Sequence, residues 1–145
     1  MRDMKEKIID IINNNYASLP KKTSGIYMVT VPNEFVVRFT REVENKSHPI
    51  YCVEELIEKF NQGDKKTLYI GKAKDLQKRI KQYISYGLNK GKVHKGGRAI
   101  FQIEDYKQLE IELIYTNDYV LEEKKLQKQY LIDNKVLPLA NWRIG

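Results

Sequence analysis

Residues 68–86, LYIGKAKDLQKRIKQYISY, narrow the choice of folds more than any other part of the chain. An apolar run, TLYIG, ends in a glycine, and the segment after it carries Leu76, Ile80, Tyr83 and Ile84 at helical spacing. A short apolar run bounded by turn residues reads as a buried strand, and apolar residues at i, i+4, i+7 and i+8 define one face of an amphipathic helix. A strand that feeds such a helix calls for a sheet on which the helix can bury its stripe. The lysines Lys78 and Lys81 fall on the opposite side of that helix.

The remaining segments extend this pattern. Residues 3–16 read as an amphipathic helix, SLPKKTSG as a turn-rich connector, and IYMVTV as a strand ended by Pro32. Residues 35–39 suggest a further short strand, and VEELIEKF places Val53, Leu56, Ile57 and Phe60 on one helical face. RAIFQI and QLEIELIYT read as strands, and DYVLEEKKLQKQYLIDNK as a last long helix stopped by Pro138. No internal repeat is visible, and 145 residues suit one domain spanning 1–145.

Several function classes fall away. The single cysteine, Cys52, rules out an internal disulfide and a Cys-rich zinc site, and His48 and His94 have no ligand spacing. No apolar stretch approaches membrane-spanning length, so neither export nor insertion is expected, and a reducing cytoplasm is the simplest home. Gly71-Lys72 is followed by Ala73, where a phosphate loop needs Ser or Thr to hold magnesium.

Charge is informative because it is localised. Residues 65–98 hold eleven Lys or Arg against one acid, Asp75, so this block carries +10 of a net +7, and the rest of the chain is −3. A basic block on an otherwise slightly acidic chain is the footprint of a protein that neutralises phosphates. A solvated lysine face is the plainer alternative.

The last helix adds a second observation. On a wheel of about 100° per residue with Leu126 at zero, Glu123 falls near 60°, inside an apolar arc made by Tyr119, Tyr130, Val120 and Leu131. A carboxylate pointing inward needs a cation or a metal as partner. Arg79, three residues after Leu76 and four before Tyr83, lies beside the stripe of its own helix and faces the same neighbour as Tyr83.

Together these pieces resemble a known family. Gly25-Ile26-Tyr27 and Tyr69-Ile70-Gly71 look like the two eponymous motifs of the GIY-YIG nuclease superfamily, and KAKDLQKRIKQY resembles the helix after the second. The resemblance implies an α+β fold with a small, mainly antiparallel three-stranded sheet flanked by helices. To this the chain adds an N-terminal helical extension (1–20) and a helix-bearing insertion between the motifs (32–66).

By the same resemblance Tyr27, Tyr69, Arg79, Tyr83 and Glu123 are expected to be catalytic. Glu123 would bind a single Mg2+ (or another divalent cation such as Mn2+), and Gly25, Gly71 and Asn141 would support the site. Tyr27 would orient or deprotonate the attacking water. The partner implied is DNA, contacted by Lys72, Lys74, Lys78, His94, Lys95 and Arg98. No appended DNA-binding domain is visible, so target choice would rest on this domain, a homodimer or a partner protein. A non-catalytic nucleic-acid-binding module on the same fold is the alternative expectation.

Overall fold

In a computed structural model, which describes residues 2–91 and 96–145, the chain forms a four-stranded antiparallel sheet with helices on both faces. The elements run β1 (Met4–Lys7), α1 (Ile8–Asn13), β2 (Gly25–Thr30), α2 (Val53–Gln62), β3 (Thr67–Ala73), α3 (Leu76–Gly87), β4 (Glu110–Tyr115) and α4 (Tyr119–Asn134). Their order across the sheet is β1-β4-β2-β3. The α+β class expected from the sequence therefore holds, with one strand more than expected.

That strand corrects the N-terminal reading. Instead of a helix over 3–16, Met4–Lys7 pairs with β4, and the helix is confined to Ile8–Asn13. The MKEK stretch carries no apolar alternation, so nothing local marks it as a strand. Cross-strand partners hold it: Asp3 N–H donates to the Leu113 carbonyl (2.8 Å), and Arg2 Nε lies 3.0 Å from Glu112 Oε1. Its lysines suit an edge, where charge discourages pairing with another chain.

Two other expected strands also change. RAIFQI is a 3-10 turn over Arg98–Gln102, with Ala99, Ile100, Phe101 and Gln102 all buried. Short apolar runs do not separate buried strand from buried helix by periodicity, and here an apolar core position decided the conformation. Residues 35–39 reduce to one bridge, Phe39 with Ile103.

The central strand β2 is buried at every position because both of its faces are covered. On one face Tyr27 and Val29 join Leu76, Ile80, Tyr83 and Ile84 of α3 in the main core. On the other, Ile26, Met28 and Ile70 form a smaller cluster against Tyr119 and Leu126 of α4. The α3 stripe is thus buried as the spacing predicts, and Asp75 caps that helix by accepting from Lys78 N–H (3.2 Å).

The insertion covers the core. Phe35, Val37, Phe39, Tyr51 and Phe60 pack against it, and Leu56 is fully enclosed. Buried Gln102 organises this segment, accepting from Tyr51 N–H (2.8 Å) and donating to the carbonyls of Thr40 and Tyr51.

His48 is sealed under the same segment, with Nδ1 3.0 Å from the Tyr86 hydroxyl and the rings of Tyr51 and Phe101 alongside. Burial pushes its pKa below the ordinary 6.5, Gln102 opposes this, and the Arg98 charge adds to the lowering. The unfolded chain therefore takes up the proton first as pH falls, so stability present above about 6.5 is lost progressively below it. Urea unfolding from pH 8 to pH 5 should show this loss, and His48→Gln should flatten it.

Candidate active site

The register between β2 and β3 explains the two tripeptide motifs. Tyr27 is paired directly with Gly71, and Val29 with Tyr69. A Cβ on Gly71 would lie 2.7 Å from Tyr27 Cζ and 2.8 Å from Tyr69 Cε2, so only glycine lets both rings settle over the strand. Gly25 answers a different demand, since a Cβ there would come within 2.1 Å of the Ile114 carbonyl oxygen of β4. Both glycines supply close approach between packed groups.

Tyr27, Tyr69 and Tyr83 form a triangle of rings with centroids 5.8 to 6.0 Å apart. Tyr27 and Tyr69 reach the wall of an open cleft of about 900 Å3, together with Arg79 of α3, Lys72 of β3 and Glu123 of α4. Tyr83 does not reach it: fully buried behind the other two rings, it donates its hydroxyl to the Gly97 carbonyl (2.7 Å). The cleft straddles the edge strand β3, with the tyrosines and Arg79 on one side and Lys72 and Glu123 on the other.

The electrostatics follow from burial. Tyr27 is 1% exposed, and desolvation raises its pKa while the neighbouring Arg79 guanidinium pulls the other way. Tyr69 is raised more strongly, chiefly by burial and then by Tyr27. Both phenols are therefore held protonated at neutral pH, which favours the orienting role over a standing phenolate.

Glu123 is 5% exposed, as the wheel position of its carboxylate requires. Burial raises its pKa, and Lys72, with Nζ 3.3 Å from Oε1, opposes the shift. That contact has ion-pair distance without hydrogen-bond geometry, so Oε1 is buried with no hydrogen-bond partner. A hard oxygen donor left in this state fits a divalent cation. Among the described residues no three Asp, Glu, His or Cys side chains gather into a metal-binding group.

The rest of α4 departs from the wheel. Its buried line is Glu123, Gln127 and Tyr130, whereas Val120 and Leu131, expected in the apolar arc, are exposed. Two polar residues hold that line because they serve β3 and the cleft. Gln127 Nε2 donates to the Ile70 carbonyl (3.1 Å), beside Asn141, whose side chain accepts from Ile70 N–H (2.9 Å) and donates to the same carbonyl (3.0 Å). Asn141 thus closes the open edge of the motif strand and supports the site from behind.

Lys74 and Lys78, expected to contact phosphate, line the cleft, whereas Arg98 lies outside its wall, half-buried on the 3-10 turn. His94 and Lys95 fall outside the described residues. The structure also brings in Lys22, Gln82, Tyr119 and Arg143, which sequence reasoning did not single out. Arg143 arrives on a tail fixed by Lys59, which donates to the Asn141 carbonyl and sits 3.8 Å from the centroid of the Trp142 ring. Among the described residues six cationic side chains then line the cleft with two carboxylate side chains, Asp75 and Glu123, which gives it a positive balance.

A family model described as the GIY-YIG catalytic domain matches residues 47–135, well over half of the chain. The chain belongs to the GIY-YIG family. No curated protein and no solved structure matches it. The GIY-YIG match begins inside the insertion, and β2 with the first motif lies before it. The pairing of β2 with β3 restores the missing half in space. GIY-YIG membership points to a nuclease, and nucleases of this family act on DNA. No helix among the described residues is long and apolar enough to cross a membrane.

Proposed function

We propose that the chain is a metal-dependent endonuclease that hydrolyses DNA phosphodiester bonds by in-line attack of water with one divalent cation. The observation that carries this reading is the convergence of Tyr27, Tyr69, Arg79 and Glu123, from four separate elements, on one cationic cleft.

Hydrolysis needs an oriented water, compensation of charge on the phosphoryl oxygens, and help for the leaving oxygen. Arg79 holds the scissile phosphate through its planar fork of donors, with Lys72 as a further positive charge. The neutral Tyr27 hydroxyl orients the water and Tyr69 shares that task; as the new P–O bond forms the water's proton passes to solvent in the open cleft, and the P–O bond to the leaving oxygen breaks. Glu123 would hold the cation, which when bound supplies positive charge to the developing oxyanions. Magnesium suits a single protein carboxylate, because it keeps several waters and shares substrate oxygens. Lys74 and Lys78 bind the backbone on either side. Asn141 and Gln127 are positioning residues, acting through Ile70.

Arg79→Ala should lower the plasmid nicking rate by about a hundredfold to a thousandfold. The far-ultraviolet spectrum should not change, since Arg79 is only half-buried. Wild-type activity in Arg79→Ala would refute the assignment. Salt-dependent DNA binding without any cleavage by the wild type would instead favour the non-catalytic module.

A further inference from the structure

The first cleft has a neighbour beside Lys74. A second cleft of about 590 Å3 shares Lys22, Lys74 and Tyr119 with it and is completed by Ser24, Tyr115 and Asn117 among others. Its wall holds two lysines and no acidic side chain among the described residues. Its floor is fixed: Ser24 Oγ donates to the Thr116 carbonyl (2.8 Å), and Thr116 N–H donates to the Ser24 carbonyl (3.1 Å). Tyr115 is 40% exposed at the end of β4, and its N–H is held by Asp3 Oδ2 (2.7 Å). Lys22 sits with φ at 51°, a left-handed conformation uncommon for a residue with a side chain.

These features combine cations for a phosphate, hydroxyl and amide groups for a sugar, and an aromatic ring left in solvent. The three shared residues put them next to the cleft that holds Arg79 and Glu123. A cavity of this size lies within the range of about 300–1,000 Å3 typical of small-ligand sites. We propose that the second cleft seats the nucleotide next to the scissile phosphodiester, with Lys22 and Lys74 on its phosphate and Tyr115 stacking on its base. The inference rests on the nuclease reading of the first cleft and extends it to how the substrate strand is held.

The test is binding of a short fluorescein-labelled DNA duplex with a single-stranded overhang, without divalent cation, followed by anisotropy over a range of salt. Tyr115→Ala should weaken binding about tenfold, with Tyr115→Phe close to wild type, because the ring does the stacking. Lys22→Glu should weaken binding and lower the slope of log K against log salt by about one. Lys21→Glu, an exposed lysine outside both cleft walls, is the control and should change affinity much less. All these positions are exposed, so folding should survive each change. If wild type binds and Tyr115→Ala and Lys22→Glu bind equally well, or if Lys21→Glu matches Lys22→Glu, the second cleft has no such role and the nuclease reading stands. If wild type binds no DNA, both readings fall.

Discussion

Glu123→Ala is expected to lower metal-dependent DNA cleavage by about a thousandfold and to remove Mg2+ or Mn2+ binding measured by calorimetry. The reason lies in how isolated the carboxylate is. Oε1 is buried with no hydrogen-bond partner, and no group of three or more Asp, Glu, His or Cys side chains forms among the described residues. If Glu123 is the cation's one protein ligand, as proposed, its loss leaves no second anchor. The fold should tolerate the change, because Lys72, the ion-pair partner, is 34% exposed and regains water. A thermal melt close to wild type with cation binding abolished is the expected pair of results. Undiminished cation binding in Glu123→Ala would place the metal elsewhere.

Gly71→Val should damage both the packing and the site. A Cβ alone already falls 2.7 to 2.9 Å from atoms of Tyr27 and Tyr69, and valine adds two methyl groups. Neither ring has room to yield, since Tyr27 is fully enclosed and packs on Tyr83, which packs on Phe101. Overpacking of this kind costs about 1–3 kcal/mol. It also displaces both hydroxyls from the cleft, so cleavage should vanish in whatever fraction remains folded. Denaturant unfolding measures the first effect and plasmid nicking the second. A stable, fully active Gly71→Val would contradict the packing role given to this glycine.

Much of this site was legible in the sequence because its parts are short and local. The strand-glycine-helix order around Gly71 and the α3 stripe are set by neighbours in the chain, and they placed Arg79 beside Tyr83. Glu123 was legible for a different reason: a carboxylate inside an apolar arc is a cost that asks for a partner. The same wheel misplaced Val120 and Leu131, because Gln127 takes a buried position to serve the Ile70 carbonyl, and hydropathy gives no sign of that bond.

What was not legible depends on contacts distant in the chain. MKEK is a strand only because β4 offers it an edge more than a hundred residues away. RAIFQ turns into a 3-10 helix because Phe101 must meet Tyr83, Tyr86 and Tyr106. Lys22 and Arg143 enter the cleft from a connector and the C-terminal tail, which carry no periodic signal. Tyr83 is the instructive case among the tyrosines: it belongs to the ring triangle but not to the cleft wall, so it supports the other two rings without lining the cleft.

The most direct test of the central claim is incubation of the purified protein with supercoiled plasmid, with magnesium and with a chelator in its place. Nicked and then linear DNA that accumulates with magnesium, and disappears both with the chelator and in Glu123→Ala, is the predicted result. Intact plasmid at every divalent cation tried, or equal cleavage by wild type and Glu123→Ala, would contradict it.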